Sequence, residues 1–173
     1  MSYSANEIAA LAQKAARGAG FPPQQAQVFG AATVQFLAGG GEAQALLDAL
    51  ADPADSPILR LPLLVEDIQR AVGLAGPQIT LTLQPGDEAL APAYARLAAV
   101  PITRTEVGQS EDGLPQLCLE TDPNRDRAAP LPPRIEASAP LVDHLSILAA
   151  RTYVPASDSS RSAGAGAGDI DND

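Results

Sequence analysis

The character of this chain changes once, at Gly76-Pro77, and that change limits its fold more than any other feature. Before it, inner-face residues recur at helical spacing: Ile8, Leu11, Ala12 and Ala15, then Ala26, Phe29, Thr33, Phe36 and Leu37, then Leu46, Leu47 and Leu50, then Leu64, Ile68 and Val72. After it, Ile79-Thr80-Leu81-Thr82-Leu83 alternates residue by residue, as a strand with one face in the core must. Helices followed by short strands form the pattern of an α+β fold. The expectation is an N-terminal helical bundle packed with a small, mostly antiparallel sheet and a C-terminal helix. Three parts follow from it: a helical part (1–75), a sheet-plus-helix part (76–154) and a Gly-rich acidic tail (155–173).

Local chemistry places most of the element ends. Ser4-Ala5-Asn6-Glu7 reads as a capping box, with Tyr3 and Ile8 at the hydrophobic-staple positions. Gly18 and Gly20 are expected to stop that first helix. Phe21-Pro22-Pro23 turns the chain into a second helix, which Gly39-Gly40-Gly41 ends. A third helix spans about 42–51, 52–57 reads as a linker, and a fourth helix runs from Leu61 to Val72. Beyond the first strand come a short helix (Pro92 to Ala99) and a hairpin of Ile102 to Val107 with Leu114 to Glu120. A proline-rich loop and a further strand at Arg134 to Ala137 follow. Ser138-Ala139-Pro140 caps the last helix, which Pro155 is expected to end.

Charge removes whole classes of partner. The net charge is −10, spread as −3, −4 and −3 over residues 1–75, 76–138 and 139–173. No segment forms a basic stripe, so neither nucleic acid nor an anionic membrane is an expected partner. No apolar run approaches eighteen residues and no signal peptide is evident, which reads as a cytoplasmic chain. One cysteine, Cys118, allows neither an intramolecular disulfide nor a cysteine metal cluster.

Few side chains are placed to do chemistry. His144, the only histidine, lies on the last helix; Ser146, two residues on, points about 200° away from it. Cys118 sits between Leu117 and Leu119 with no adjacent cation to activate it. Asp169-Ile-Asp-Asn-Asp173 resembles the start of a calcium loop but lacks the glycine at position six and the glutamate at twelve. Gly164-Ala-Gly-Ala-Gly168 lacks the strand before and the helix after that a dinucleotide fingerprint needs. Arg151, Tyr153 and Arg161 are the anion-binding candidates, with Gly164, Gly166 and Gly168 as backbone able to press against a ligand or partner. No catalytic set, metal or cofactor is assigned.

Two resemblances accompany these readings. Glu7-Ile-Ala-Ala-Leu-Ala-Gln-Lys-Ala-Ala-Arg-Gly-Ala-Gly-Phe21 and the helix after it resemble the N-terminal helices of the second malate/L-lactate dehydrogenase family. The Ser-His-Gly motif of that family is replaced here by Ala38-Gly39-Gly40-Gly41. Met1-Ser-Tyr-Ser-Ala-Asn-Glu-Ile8, Lys14 to Phe21, Arg151 to Ser157, Ser160-Arg161, Gly164 to Gly168 and Asp171-Asn-Asp173 resemble an uncharacterised bacterial family, a domain of unknown function. That resemblance covers nearly the whole chain and implies a small cytoplasmic protein without an established activity. The expected function is a non-catalytic accessory or interaction protein whose C-terminal segment docks on a partner or on the second subunit of a homodimer. The alternative is a carboxylate- or phosphate-binding protein or enzyme using Arg151, Tyr153 and Arg161.

Overall fold

The computed structural model describes residues 1–122, 124–125 and 131–152. The chain opens with a two-residue strand, β1 (Ser2–Tyr3), and enters α1 (Ala5–Ala19) through the expected capping box. The Glu7 N–H donates to the Ser4 hydroxyl at 3.2 Å, and the Ser4 N–H donates to the Glu7 carboxylate at 2.7 Å. These bonds, the backbone one foremost, hold the Glu7 carboxyl below its ordinary pKa. Gly20 ends the helix at φ 104°, a left-handed conformation that costs glycine nothing. Gly18 does not stop the helix; it lies inside it, and its missing side chain makes room for another helix, as described below.

Three more helices complete the N-terminal part: α2 (Pro23–Ala38), α3 (Ala43–Ala51) and α4 (Pro57–Ala75). α1 and α2 approach closely because Gly30 has no Cβ; one added there would stand 2.6 Å from the Ala9 carbonyl oxygen. α4 starts earlier than its apolar spacing suggests. The Ser56 hydroxyl accepts the Ile58 N–H at 3.1 Å and donates to the Ala49 carbonyl at 2.6 Å, and Pro57 takes the first helical turn, where its missing N–H costs nothing. Pro62 lies inside this helix and gives up one ladder bond, which is why propensity alone obscures the helix start.

After Gly76 come β2 (Gln78–Thr82), α5 (Ala91–Ala95), β3 (Ile102–Gln109) and β4 (Pro115–Thr121). The three strands form one antiparallel sheet in the order β2-β4-β3. Ile79, Leu83, Leu117 and Leu119 are buried on one face, while Gln78, Thr80 and Thr82 of the other face are exposed. α4 lies against β2 and α5 against β3, so the helices cover one face only.

The last strand is not the expected addition to this sheet. β5 (Ile135–Glu136) pairs instead with β1, Ser2 opposite Glu136 and Tyr3 opposite Ile135. Arg134 Nε donates to the Ser2 hydroxyl at 3.0 Å, and a second Arg134 nitrogen donates to the Ser2 carbonyl. Tyr3 is therefore a strand residue that packs against the core, beyond its staple position. The chain then enters α6 (Ala139–Ala150), where Ser138 accepts the Leu141 N–H and the helix closes ahead of Pro155.

α6 packs on α1. A Cβ added to Gly18 would lie 1.8 Å from the Leu148 carbonyl oxygen, so the helices touch backbone to backbone there. One continuous core joins all of these elements, from Ile8 and Phe21 through Ile68 and Tyr94 to Leu117, Ile135 and Leu148. Much of it is alanine: Ala12, Ala15, Ala16, Ala26, Ala91 and Ala95 are fully enclosed. Small side chains bury little area each, at about 25 cal/mol per Å², so close backbone approach has to supply contact in their place. No helix among the described residues is long and apolar enough to cross a membrane.

Candidate functional site

Of the side chains singled out from sequence, Arg151 and His144 belong to α6 and its cap, and Cys118 to β4. Arg151 is the C-cap of α6; its N–H donates to the Leu148 carbonyl at 3.0 Å and its side chain is exposed, with no ion pair among the described residues. The position completes the last helical turn and suits the negative end of the helix. Tyr153, Arg161, Gly164, Gly166 and Gly168 lie outside the described residues, as do Pro155 and the acidic end. His144 is exposed on α6, and the Ser146 hydroxyl is spent on the Val142 carbonyl of its own helix at 2.7 Å. Cys118 is half-buried on the outer face of the sheet, as alternation against Leu117 and Leu119 requires.

Two polar groupings appear that the sequence did not single out. In the first, a turn at 84–87 brings Asp87 beneath α4. Gly86 takes φ 94°, the Asp87 N–H donates to the Gln84 carbonyl at 3.1 Å, and the Asp87 carbonyl accepts from Leu90 and Ala91 as α5 begins. The Asp87 side chain is 4% exposed. Arg60 reaches it from α4, with Nε 3.2 Å from both carboxylate oxygens and Nη2 2.6 Å from Oδ1, and turns Nη1 to the exposed Asp55. These bonds hold the Arg60 guanidinium above its ordinary pKa, Asp87 contributing most. Tyr94 on α5 is fully buried, and its hydroxyl finds no hydrogen-bond partner among the described residues. Burial first, and the Asp87 charge second, push its pKa far above the ordinary phenol value.

A hollow of about 280 Å³ opens beside this cluster, lined by Asp48, Asp55, Arg60, Gly86 and Leu90 among others. Its one cation already spends its donors on two carboxylates, and Asp87 spends both oxygens on Arg60. The arrangement ties α4 to the turn that feeds α5. Residues 60 and 87 stand 27 apart with no periodic relation, so only the fold brings them together.

The second grouping is the open face of the sheet. A shallow hollow of about 370 Å³ is lined by Gln78, Thr80, Arg104, Glu106, Cys118 and Glu120 among others. Arg104 lies over Glu106, with Nη2 2.6 Å from Oε1, and 3.4 Å from Glu120 on the neighbouring strand. The Thr80 hydroxyl donates to the Cys118 sulfur at 3.7 Å. Cys118 stands between Thr80 and Glu106 in register, so its cross-strand neighbours are a hydroxyl and a carboxylate. Among the described residues no three His, Cys, Asp or Glu side chains gather as metal ligands would.

Compared with protein-family models, with curated proteins and with solved structures, the chain matches none.

Proposed function

We propose that this chain is a non-catalytic accessory or interaction protein that docks on a protein partner or on a second copy of itself. The observation that carries this reading is the three-stranded sheet. Helices cover one face, the other face is polar and open, and both outer strands, β2 and β3, pair with nothing on their far sides among the described residues. A strand edge with free N–H and C=O groups is a template for another chain. The groups able to do chemistry support the same reading by their separation: His144 on α6, Cys118 on β4 and Tyr94 in the core belong to different elements and different degrees of burial.

The C-terminal segment extends the proposal. α6 delivers the chain to the surface at Arg151, and the residues that follow carry Tyr153, Arg161 and the glycines at 164, 166 and 168 as the docking piece. Sedimentation of the full chain, paired with cross-linking in the host cell, tests the reading against a version truncated after Thr152. Self-association or a specific cross-linked partner, with the tail required for at least one of them, is the expected result. A chain that sediments as a monomer and cross-links to nothing overturns it. Thermal melts with a panel of carboxylates and phosphates address the small-molecule alternative, since a ligand at 100 times its Kd adds about 2.7 kcal/mol.

A further inference from the structure

We infer that two copies of this chain join through the outer edge of β3, antiparallel about Thr105, to make one six-stranded sheet. This rests on the interaction reading and names its surface.

The geometry starts with the phase of the ladder. The Ser110 N–H donates to the Leu114 carbonyl at 2.8 Å and the Leu114 N–H donates to the Ser110 hydroxyl at 3.1 Å, so this pair stands at a hydrogen-bonding position of the ladder. In the register of the sheet, Gly108 with Gln116, Glu106 with Cys118 and Arg104 with Glu120 are pairs of the same kind. Their backbone groups point to β4. Alternation therefore turns the N–H and C=O of Thr105 and Val107 to the free side of the strand. β3 is an edge strand, and six of its eight residues are exposed while Ile102 and Thr105 are half-buried, with Val107 44% exposed.

Charge then selects the partner and the register. A two-fold axis at Arg104 would set Arg104 against Arg104, and one at Glu106 would set Glu106 against Glu106; like charges directly opposite are destabilising. An axis at Val107 sets Glu106 against glycine. An axis at Thr105 sets Arg104 of each copy against Glu106 of the other, twice. Those positions are the non-hydrogen-bonded pairs of the new seam, where cross-strand side chains come closest. Across the open face the row then reads Glu120, Arg104, Glu106 of the second copy, with signs that alternate. Thr105 exchanges both backbone bonds with its own copy, and the exposed Val107 gains cover. The bulge between Ile102 and Arg104 begins just beyond Arg104 and, by the two-fold symmetry, bounds the seam at both ends; from Arg104 to Gln109 the register within each copy is unbroken.

Three proteins test the inference by sedimentation at about 0.15 M salt, where the repulsion between two acidic bodies is screened beyond roughly 8 Å. Thr105→Pro removes only an N–H that faces outward, a change that edge strands tolerate; the expected result is a monomer that melts like the parent. Arg104→Glu and Glu106→Arg each set like charges face to face, so each alone associates at least about tenfold more weakly. Mixed together, they present two acidic positions to two basic ones, and a heterodimer forms. A parent chain that stays monomeric overturns the inference. So does a dimer that ignores Thr105→Pro and shows no preference for the mixed pair, although that second result leaves the interaction reading standing with its surface elsewhere.

Discussion

Replacing Gly18 with alanine is a severe test of how this fold is held together, because helix propensity and packing give opposite answers. Gly18 lies inside α1, where an alanine is ordinarily worth about 0.8–1.0 kcal/mol over glycine. The new methyl group, however, would stand 1.8 Å from the Leu148 carbonyl oxygen and 2.7 Å from its carbon. Ordinary contact begins at 3.4 Å, so the two backbones must part by about 1.6 Å at that point. Overpacking of this kind costs roughly 1–3 kcal/mol, and here the obstacle is backbone, which puts the cost at the upper end. Subtracting the propensity gain leaves a net loss of about 2 kcal/mol, or roughly 4–8 °C in Tm for a chain of this length. Gly73→Ala in α4 is the control, since nothing lies within 4 Å of the added atom. It should gain about 1 kcal/mol and raise Tm by roughly 2–4 °C. Paired melts followed by far-UV circular dichroism read both at once. If Gly18→Ala raises Tm as Gly73→Ala does, the close seating of α6 on α1 is refuted.

Other perturbations bear on the remaining contacts. Asp87→Ala leaves Arg60 without its buried partner; because Arg60 is partly exposed and keeps Asp55, the loss should be about 2 kcal/mol, against under 1 kcal/mol for Asp55→Ala, whose side chain is 81% exposed. Urea titrations that rank the two alike would sink that assignment. Tyr94→Phe removes a buried hydroxyl without a described partner and should stabilise the fold by about 1 kcal/mol; a destabilised variant would show that the hydroxyl is bonded after all. The same group sets an alkaline limit. Its folded pKa is raised, so above the ordinary value of 10.0 the unfolded chain loses a proton that the folded chain keeps. Stability then falls with rising pH by about 1.4 kcal/mol per unit, and Tyr94→Phe should flatten that slope in denaturant titrations above pH 10. Ser4→Ala should cost about 1 kcal/mol through the lost cap; with Glu7 held below its ordinary pKa, the acid-side loss of stability that accompanies Glu7 protonation should shrink in that variant.

What could be read from the sequence was what local chemistry dictates. Ser4 and Glu7 announce α1 because the capping box needs only four neighbouring residues, and β2 is evident because its alternation is strict. The α+β class follows from those periodicities. The misses share a different physics. β1 and β5 are two residues each, too short for any period, and they exist only because the ends of residues 1–137 meet. Gly18 reads as a stop signal, since nothing local reveals that a helix more than a hundred residues away rests on it. α4 is legible over Leu61 to Val72, and only its start at Pro57 is obscured by Pro62, whose lost bond the surrounding packing tolerates. The Arg60–Asp87 pair and the charge order of β3 are likewise properties of assembled neighbours: nothing in the local sequence ties residue 60 to residue 87, or Arg104 to Glu120, until the fold and the register are known.

The stitch between residues 2–3 and 135–136 has a consequence for how the molecule comes into being. A ribosome emits α1 more than a hundred residues before the strand that pins its entrance and the helix that covers its flank. The alanine-lined stripe of that opening helix must wait, uncovered on one side, for more than a hundred further residues. Closing so long a span raises the entropic barrier only logarithmically with length, but it places the decisive step after residue 150 has been made. Truncated translation products should therefore be the most aggregation-prone form of this protein, and a nascent chain held short of residue 135 should still expose its first helix to chaperones.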